Sequence, residues 1–180
     1  MRTHATRLGH VTAWLARIFG LALLLAAGPC IADMLEGRVV AIQDGDTLTV
    51  LDSSKTQRRV RLAGIDAPEK GQPWGNHSKE GLSSLAYGKQ VEVQWHKRDR
   101  YGRMVGKVLV EGCDVNLAQV SSGLAWHYAE YAREQSPDDR QRYAAAQETA
   151  RQRRLGLWAD REPIPPWDFR RARRTFNRSR

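Results

Sequence analysis

Residues 35–64 read LEGRVVAIQDGDTLTVLDSSKTQRRVRLAG. Three short runs rich in β-branched residues stand in this stretch: Leu35 to Gln43, Asp46 to Asp52 and Arg58 to Gly64. They are separated by Asp44-Gly45 and by Ser53-Ser54-Lys55, so they predict three meandering strands. Asp-Gly between two such runs predicts a tight primed hairpin turn, in which glycine supplies positive φ without strain. The third run then breaks its alternation in RLAGIDAPEKGQPWG, residues 61–75, where two carboxylates, proline and glycine stand in place of a simple return.

The rest of the chain completes the pattern. Residues 75–87, GNHSKEGLSSLAY, predict a helix with Leu82 and Leu85 inward, ending near Gly88. Two more strands follow, Gln90 to Trp95 and Arg103 to Gly112, then a helix from Asp114 as N-cap to Gly123 as stop. A last helix begins at Ser136, with Pro137 in its first turn and Asp139 at the capping-box position, and runs to about Arg154. Three strands, a helix, two strands and C-terminal helices make the order of an α+β domain built on a five-stranded OB-type β-barrel capped by about three helices. That domain is assigned to residues 33–162. Residues 163–180 form a proline-containing, basic C-terminal tail, expected to be disordered or loosely docked.

The N-terminus reads as an address. Arg2, Arg7 and Arg17 precede an apolar run from Ile18 to Ala27, followed by Gly28-Pro29 and a cleavage point after Ala32. Residues 1–32 are therefore predicted to be a signal peptide, with export to the periplasm or the exterior. The run is shorter than the roughly 20 residues needed to span a bilayer. The chain's 29 Lys and Arg outnumber its 20 Asp and Glu, and only three of those arginines lie in the signal. A basic domain points to polyanionic partners, nucleic acid before membranes. Cleavage also removes Cys30 and leaves Cys113 alone, so no intrachain disulfide is expected.

Chemistry-bearing residues gather at predicted strand ends. Asp46 opens the second strand, while Asp66 and Glu69 follow the third. Carboxylates that converge without His or Cys suit a hard cation such as Ca²⁺ or Mg²⁺ rather than zinc. Arg61, before the loop, and Arg103, in RDRYGR, face them. Carboxylates, a metal and two guanidinium forks together describe phosphoryl chemistry, because the forks hold developing phosphate charge in a fixed geometry that a lysine point charge does not supply. Lys70, Lys79, Lys97, Arg98 and Arg100 offer contacts to a phosphate backbone, and Tyr101 and Trp74 offer faces for unpaired bases, Trp74 equally being a loop anchor. Trp158 is expected in the core. His77, His96 and His127 show no metal-ligand spacing.

The motifs DGDT (residues 44–47), VRLAGIDAPE (60–69), DRYGR (99–103), VNLAQVSSGLAW (115–126) and LGLWAD (155–160) resemble the staphylococcal-nuclease-like, or thermonuclease, family. The resemblance covers residues 34–160 and implies a Ca²⁺-dependent nuclease that hydrolyses DNA and RNA to 3′-phosphate products. It implies that Asp46, Asp66 and the backbone carbonyl of Ala67 hold the metal. The family commonly has Thr at the position of Ala67, a change that a backbone ligand survives. It further implies that Glu69 is the general base, that Arg61 and Arg103 clamp phosphate, and that Tyr101 lies beside the nucleotide. A further aromatic contact falls to Tyr128 or Tyr131, and Lys70 and Arg100 flank the substrate. The expected partner is single-stranded or locally opened nucleic acid, bound by a monomer without stable membrane association after cleavage. The alternative is a non-catalytic OB-fold nucleic-acid-binding module; a membrane-active cationic protein ranks last, since no strongly amphipathic, aromatic-rich basic helix is read from the sequence.

Overall fold

The structure, a computed structural model, describes residues 33–178; the predicted signal peptide lies outside the described residues. Alternating β-branched and polar residues build β1 (Asp33–Ile42), β2 (Thr47–Asp52) and β3 (Gln57–Leu62). These form an antiparallel meander whose Val39, Leu48, Val50, Val60 and Leu62 are buried. Next come the short β4 (Ile65–Asp66), helix α1 (Gly75–Ala86), β5 (Gln90–Arg98) and β6 (Met104–Val110). β5 pairs antiparallel with both β1 and β6, and β6 closes in parallel onto β3. The circuit β1-β2-β3-β6-β5-β1 is the closed five-stranded OB-type barrel expected. Closure sets Arg61 beside Val105 and Leu62 beside Gly106. A Cβ at Gly106 would lie 2.7 Å from the Gln94 carbonyl oxygen, so only glycine lets the neighbouring strand pass this closely.

The helices follow their caps. After β7 (Cys113–Asp114), the Asp114 side chain accepts from the Leu117 N–H at 2.9 Å and starts α2 (Val115–Ser121). Asp114 also accepts the phenol of buried Tyr143 at 2.9 and 3.0 Å, tying α2 to α3 (Pro137–Gln152). α3 begins as predicted, with Ser136 Oγ accepting from the Asp139 N–H at 3.1 Å. Two buried amides of α2 position loops of the barrel. Asn116 accepts from Val108 N–H at 3.1 Å and donates to the carbonyls of Ala63 and Gly106 at 3.0 and 3.1 Å. Gln119 donates to the carbonyls of Gly45 and Ser78 at 2.8 and 3.0 Å, pinning the β1–β2 turn against α1. β8 (Trp126–His127) pairs with β4 in register Asp66↔Trp126, which fixes the loop after β3 against the end of the helical layer. Among the described residues no helix is long and apolar enough to cross a membrane, and Cys113 is an exposed free thiol.

Two expectations need correction. The Asp44-Gly45 connection is not a primed two-residue turn: four residues separate β1 from β2, and Gly45 does not adopt the positive φ assigned to it. Gly45 is required for closeness instead, since a Cβ there would lie 1.8 Å from Ser78 Oγ. The turn is shaped by Asp44, whose Oδ1 accepts from the Asp46 N–H at 3.1 Å. The second correction concerns the local structure of the tail, expected to be disordered or loosely docked: Pro166–Arg178 is a helix, α4, beyond the about three expected, and its first turn docks on the cleft. Proline at its first position and Asp168 in its first turn are ordinary helix-start features, outweighed in the sequence reading by the run of arginines.

Candidate active site

An open cleft of about 640 Å³ lies where β2, the loop after β3 and the β5–β6 turn meet. Its floor is acidic. Asp46 and Asp66 are 6% and 1% exposed, the first leaving the β1–β2 turn and the second ending β4. Asp46 Oδ2 accepts from the Ala67 N–H at 3.2 Å, and Asp46 Oδ1 accepts from the Thr47 hydroxyl at 3.0 Å. Burial, the nearby Asp46 and a hydrogen bond among their side chains push Asp44 up to about 6, although the Asp46 N–H and Thr47 act the other way. Burial also raises Asp66, with Asp46 adding to the rise, against the opposing Arg170 and Arg61. Three carboxylates thus strain against one another in a partly dehydrated pocket, an arrangement that calls for added positive charge.

Arg61 meets that demand from the end of β3, and Arg103 lines the same cleft from the β5–β6 turn. Arg61, at the end of β3, reaches Asp66 Oδ1 at 2.8 Å and Asp46 Oδ2 at 3.1 Å, both through Nη2. Burial alone would disfavour its charge, but Asp46 and Asp66 outweigh it and raise the Arg61 pKa. Arg103 is held by Asp99 at 2.7 Å and donates to Thr47 Oγ1 at 3.2 Å. Asp99 itself accepts from the N–H groups of Tyr101 and Arg103 at 2.9 and 3.0 Å, organising the β5–β6 turn. Although partial burial acts oppositely, Arg103 and these N–H groups hold Asp99 below its ordinary value.

Glu69 lies at the rim, its side chain 31% exposed. Its backbone is fixed by buried Gln72, whose Oε1 accepts from the Glu69 N–H at 3.0 Å. Proline before it and the close approach of Gly75, where a Cβ would lie 2.3 Å from the Glu69 carbonyl oxygen, leave this loop little freedom. Ala67 is buried between Asp66 and Pro68 and lines the cleft. Tyr101 stands 64% exposed between Arg100 and Arg103, whose guanidinium carbons sit 4.9 and 5.6 Å from its ring centre. Tyr128 and Tyr131 both line the cleft, their rings 4.8 Å apart. Burial and the hydrogen bond to Glu130 push the Tyr128 phenol up to about 12.

The structure therefore gathers Asp46, Arg61, Asp66, Ala67, Glu69, Arg100, Tyr101, Arg103, Tyr128 and Tyr131 around one cleft, together with Lys97 and Arg98. Lys70 and Lys79 are exposed and do not line it. Trp74 is an anchor: its Nε1 donates to Asp160 at 2.9 Å and its ring packs with the cluster around buried Trp158. Sequence reasoning missed Asp44 and Arg170. In the sequence Asp44 carries only a turn signal, Asp-Gly. Arg170, on α4, donates through Nη2 to Asp66 Oδ2 at 2.7 Å and through Nη1 to Glu69 Oε1 at 2.6 Å. The available signal was the helix-start pattern Pro166-Trp167-Asp168, which places Arg170 one turn from an aromatic residue.

Among the described residues no group of three or more His, Cys, Asp and Glu side chains is arranged to hold a metal ion by itself. The donor set nevertheless fits a hard cation: Asp46 and Asp66 are close enough to share one Arg61 nitrogen, both are buried, and their oxygens are hard donors. Two carboxylates and a carbonyl leave room in a calcium shell of roughly 6–8 oxygens for water and phosphate.

Comparison with known proteins agrees with this arrangement. Residues 59–160 match the family described as "Staphylococcal nuclease homologue". A protein of Escherichia coli named "Uncharacterized endonuclease" is 42% identical over 151 residues, covering 83% of this chain and 94% of its own. A Haemophilus influenzae protein of the same name is 44% identical over 134 residues, covering 74% and 72%. The "Micrococcal nuclease" of Shigella flexneri is 40% identical over 159 residues, covering 83% and 88%. With its barrel, its acid-and-arginine cleft and these likenesses, the chain belongs to the staphylococcal nuclease family and is an enzyme of the nuclease class.

Proposed function

We propose that this nuclease is a calcium-dependent hydrolase of DNA and RNA, leaving 3′-phosphate products from single-stranded or locally opened substrate. The observation that carries the reading is the buried Asp46–Asp66 pair bridged by Arg61, opposite Arg103 and beside Glu69, in one cleft. Asp46, Asp66 and the Ala67 carbonyl would hold Ca²⁺. Bound there, the ion would neutralise phosphate charge and help to orient the scissile group. Arg61 and Arg103 grip the phosphate oxygens through planar forks that carry charge in fixed directions. Glu69 takes the proton of the attacking water, and the hydrogen bond from its N–H to Gln72 holds its backbone in place at the cleft. Arg100, Lys97 and Arg98 follow the neighbouring phosphates, while Tyr101 and Tyr128 or Tyr131 offer stacking faces to unpaired bases. The full set of acids and arginines disfavours a non-catalytic binding module, which has no need of a rim carboxylate.

The test is metal removal. The full chain should release acid-soluble nucleotides from denatured DNA in millimolar calcium and should fall to the enzyme-free level in EGTA. Activity that survives chelation would refute calcium dependence. We further propose export to the periplasm or exterior with cleavage after Ala32, the domain then acting as a monomer without stable membrane association. This rests on the basic, apolar and small-residue order of residues 1–32. N-terminal sequencing of protein from the producing cells should begin at Asp33; a start at Met1 contradicts cleavage.

A further inference from the structure

Helix α4 engages three parts of the cleft that the proposed reaction needs. Its Trp167 ring stacks on Tyr128, nearly parallel at 4° and 5.2 Å between centres, and meets Trp126 edge-on at 5.6 Å. One turn later, Arg170 takes both oxygens of Asp66, at 2.7 and 3.2 Å, and one oxygen of Glu69 at 2.6 Å. The segment before the helix is tied to the same loop, because Gln72 donates to the Ile164 carbonyl at 2.7 Å while accepting from Glu69. An aromatic ring therefore covers the face offered to a base, and a cation lies against the carboxylates offered to calcium and to water.

The attachment is narrow. The contacts with the cleft come from the first turn, through Trp167 and Arg170, whereas residues 171–177 are exposed. A helix that meets the cleft through one turn and exposes the residues after it belongs to the part of a structure that opens at low free-energy cost. Once open, Arg171, Arg173 and Arg174 have a natural partner in a phosphate backbone. A third phosphate clamp would leave the Tyr128 face open and at least one Asp66 oxygen uncovered, and α4 does neither.

We propose that α4 is an autoinhibitory strap, closed by Trp167 on Tyr128 and by Arg170 on Asp66 and Glu69, and opened when calcium and nucleic acid compete for those groups. The proposal rests on the calcium-nuclease reading above. Because ligand binds the open form, closure lowers its apparent affinity by the fraction of molecules that are open. Nucleic acid then has two effects on one equilibrium: it displaces Trp167 from Tyr128 and it attracts the freed arginines.

Three measurements on the full chain test this. Hydrogen exchange over residues 166–178 should accelerate about tenfold when calcium and a nucleoside 3′,5′-bisphosphate are added, with the barrel strands unchanged, if the open fraction rises by that factor. Calorimetry with calcium alone should show tighter binding for Arg170→Met, and also for Trp167→Ala, which removes no charge and so separates release of the strap from simple electrostatics. At subsaturating calcium Arg170→Met should turn over faster than the parent, with Arg170→Lys between them. Slower or unchanged exchange in α4 on ligand addition overturns the strap. So does a Trp167→Ala variant with parental calcium affinity, or an Arg170→Met variant that loses turnover at saturating calcium with unchanged affinity, since Arg170 would then serve the substrate. Calcium uptake and turnover with a static α4 refute the strap alone; absence of calcium uptake in parent and variants refutes both the strap and the calcium reading.

Discussion

Glu69→Gln should slow turnover by about 10² to 10⁴, the usual contribution of a positioned general base, while binding of a nucleoside 3′,5′-bisphosphate changes only slightly. Gln has the shape of Glu, and the loop beneath it is held through backbone groups: Gln72 Oε1 on the Glu69 N–H at 3.0 Å, and the Glu69 carbonyl accepting from Gln72 N–H at 2.9 Å. The substitution therefore removes charge and proton affinity with little change of position. It also removes a charged partner of Arg170, which lies 2.6 Å from Glu69 Oε1. That loss should loosen α4, so calcium affinity should hold or rise while turnover falls. Opposite movement of the two quantities separates loss of a base from general damage to the site. Turnover within a few-fold of the parent would remove Glu69 from the proton-transfer role. Repeating the substitution in the Arg170→Met background is informative, because there the loss of turnover should persist while the gain in calcium affinity disappears.

The barrel was legible because its strands carry their own signals: β-branched alternation in Val39, Leu48, Val50, Val60 and Leu62 marks one buried face. The site was legible because its residues sit where strands end, at Asp46, Arg61 and Asp66, and closure of a five-stranded barrel leaves those ends few places to go. Turn chemistry was less transparent. Gly45 looked like a φ requirement and is a packing requirement, visible only when α1 supplies Ser78 at 1.8 Å from a hypothetical Cβ. Lys70 shows the limit of proximity in sequence: it adjoins Glu69 but is exposed and does not line the cleft. Arg170 shows the opposite limit. It lies 101 residues from Glu69 in the chain, and nothing local reveals which acid a long arginine side chain in a basic run will reach. The seam between Trp167, Tyr128 and Trp126 decides it, and that seam exists only after β4 and β8 have paired.

Arg61→Ala should damage the enzyme twice, in stability and in catalysis. A single Arg61 nitrogen bridges Asp46 and Asp66, whose side chains are 9% and 1% exposed. Removing one member of a buried ion pair typically costs about 3–5 kcal/mol, since the remaining charge stays buried without its partner. Here two carboxylates lose that partner, and Arg170 still reaches Asp66 at 2.7 Å, which places the expected loss toward the lower end of the range. Calcium should restore part of it, because a cation that binds only the folded chain stabilises in proportion to RT ln(1 + [L]/Kd). Urea unfolding with and without calcium should therefore show a larger calcium effect in Arg61→Ala than in the parent. Turnover at saturating calcium should nevertheless fall by about 10² to 10³, the scale for losing one donor that stabilises transition-state charge. Arg61→Lys separates the contributions. Lysine restores a charge between Asp46 and Asp66, so stability should largely return, but it lacks the planar fork that lets Arg61 hold the carboxylates with one nitrogen and offer its remaining donors to phosphate. If Arg61→Lys recovers stability and turnover together, charge alone accounts for Arg61 and its role as a phosphate clamp is wrong.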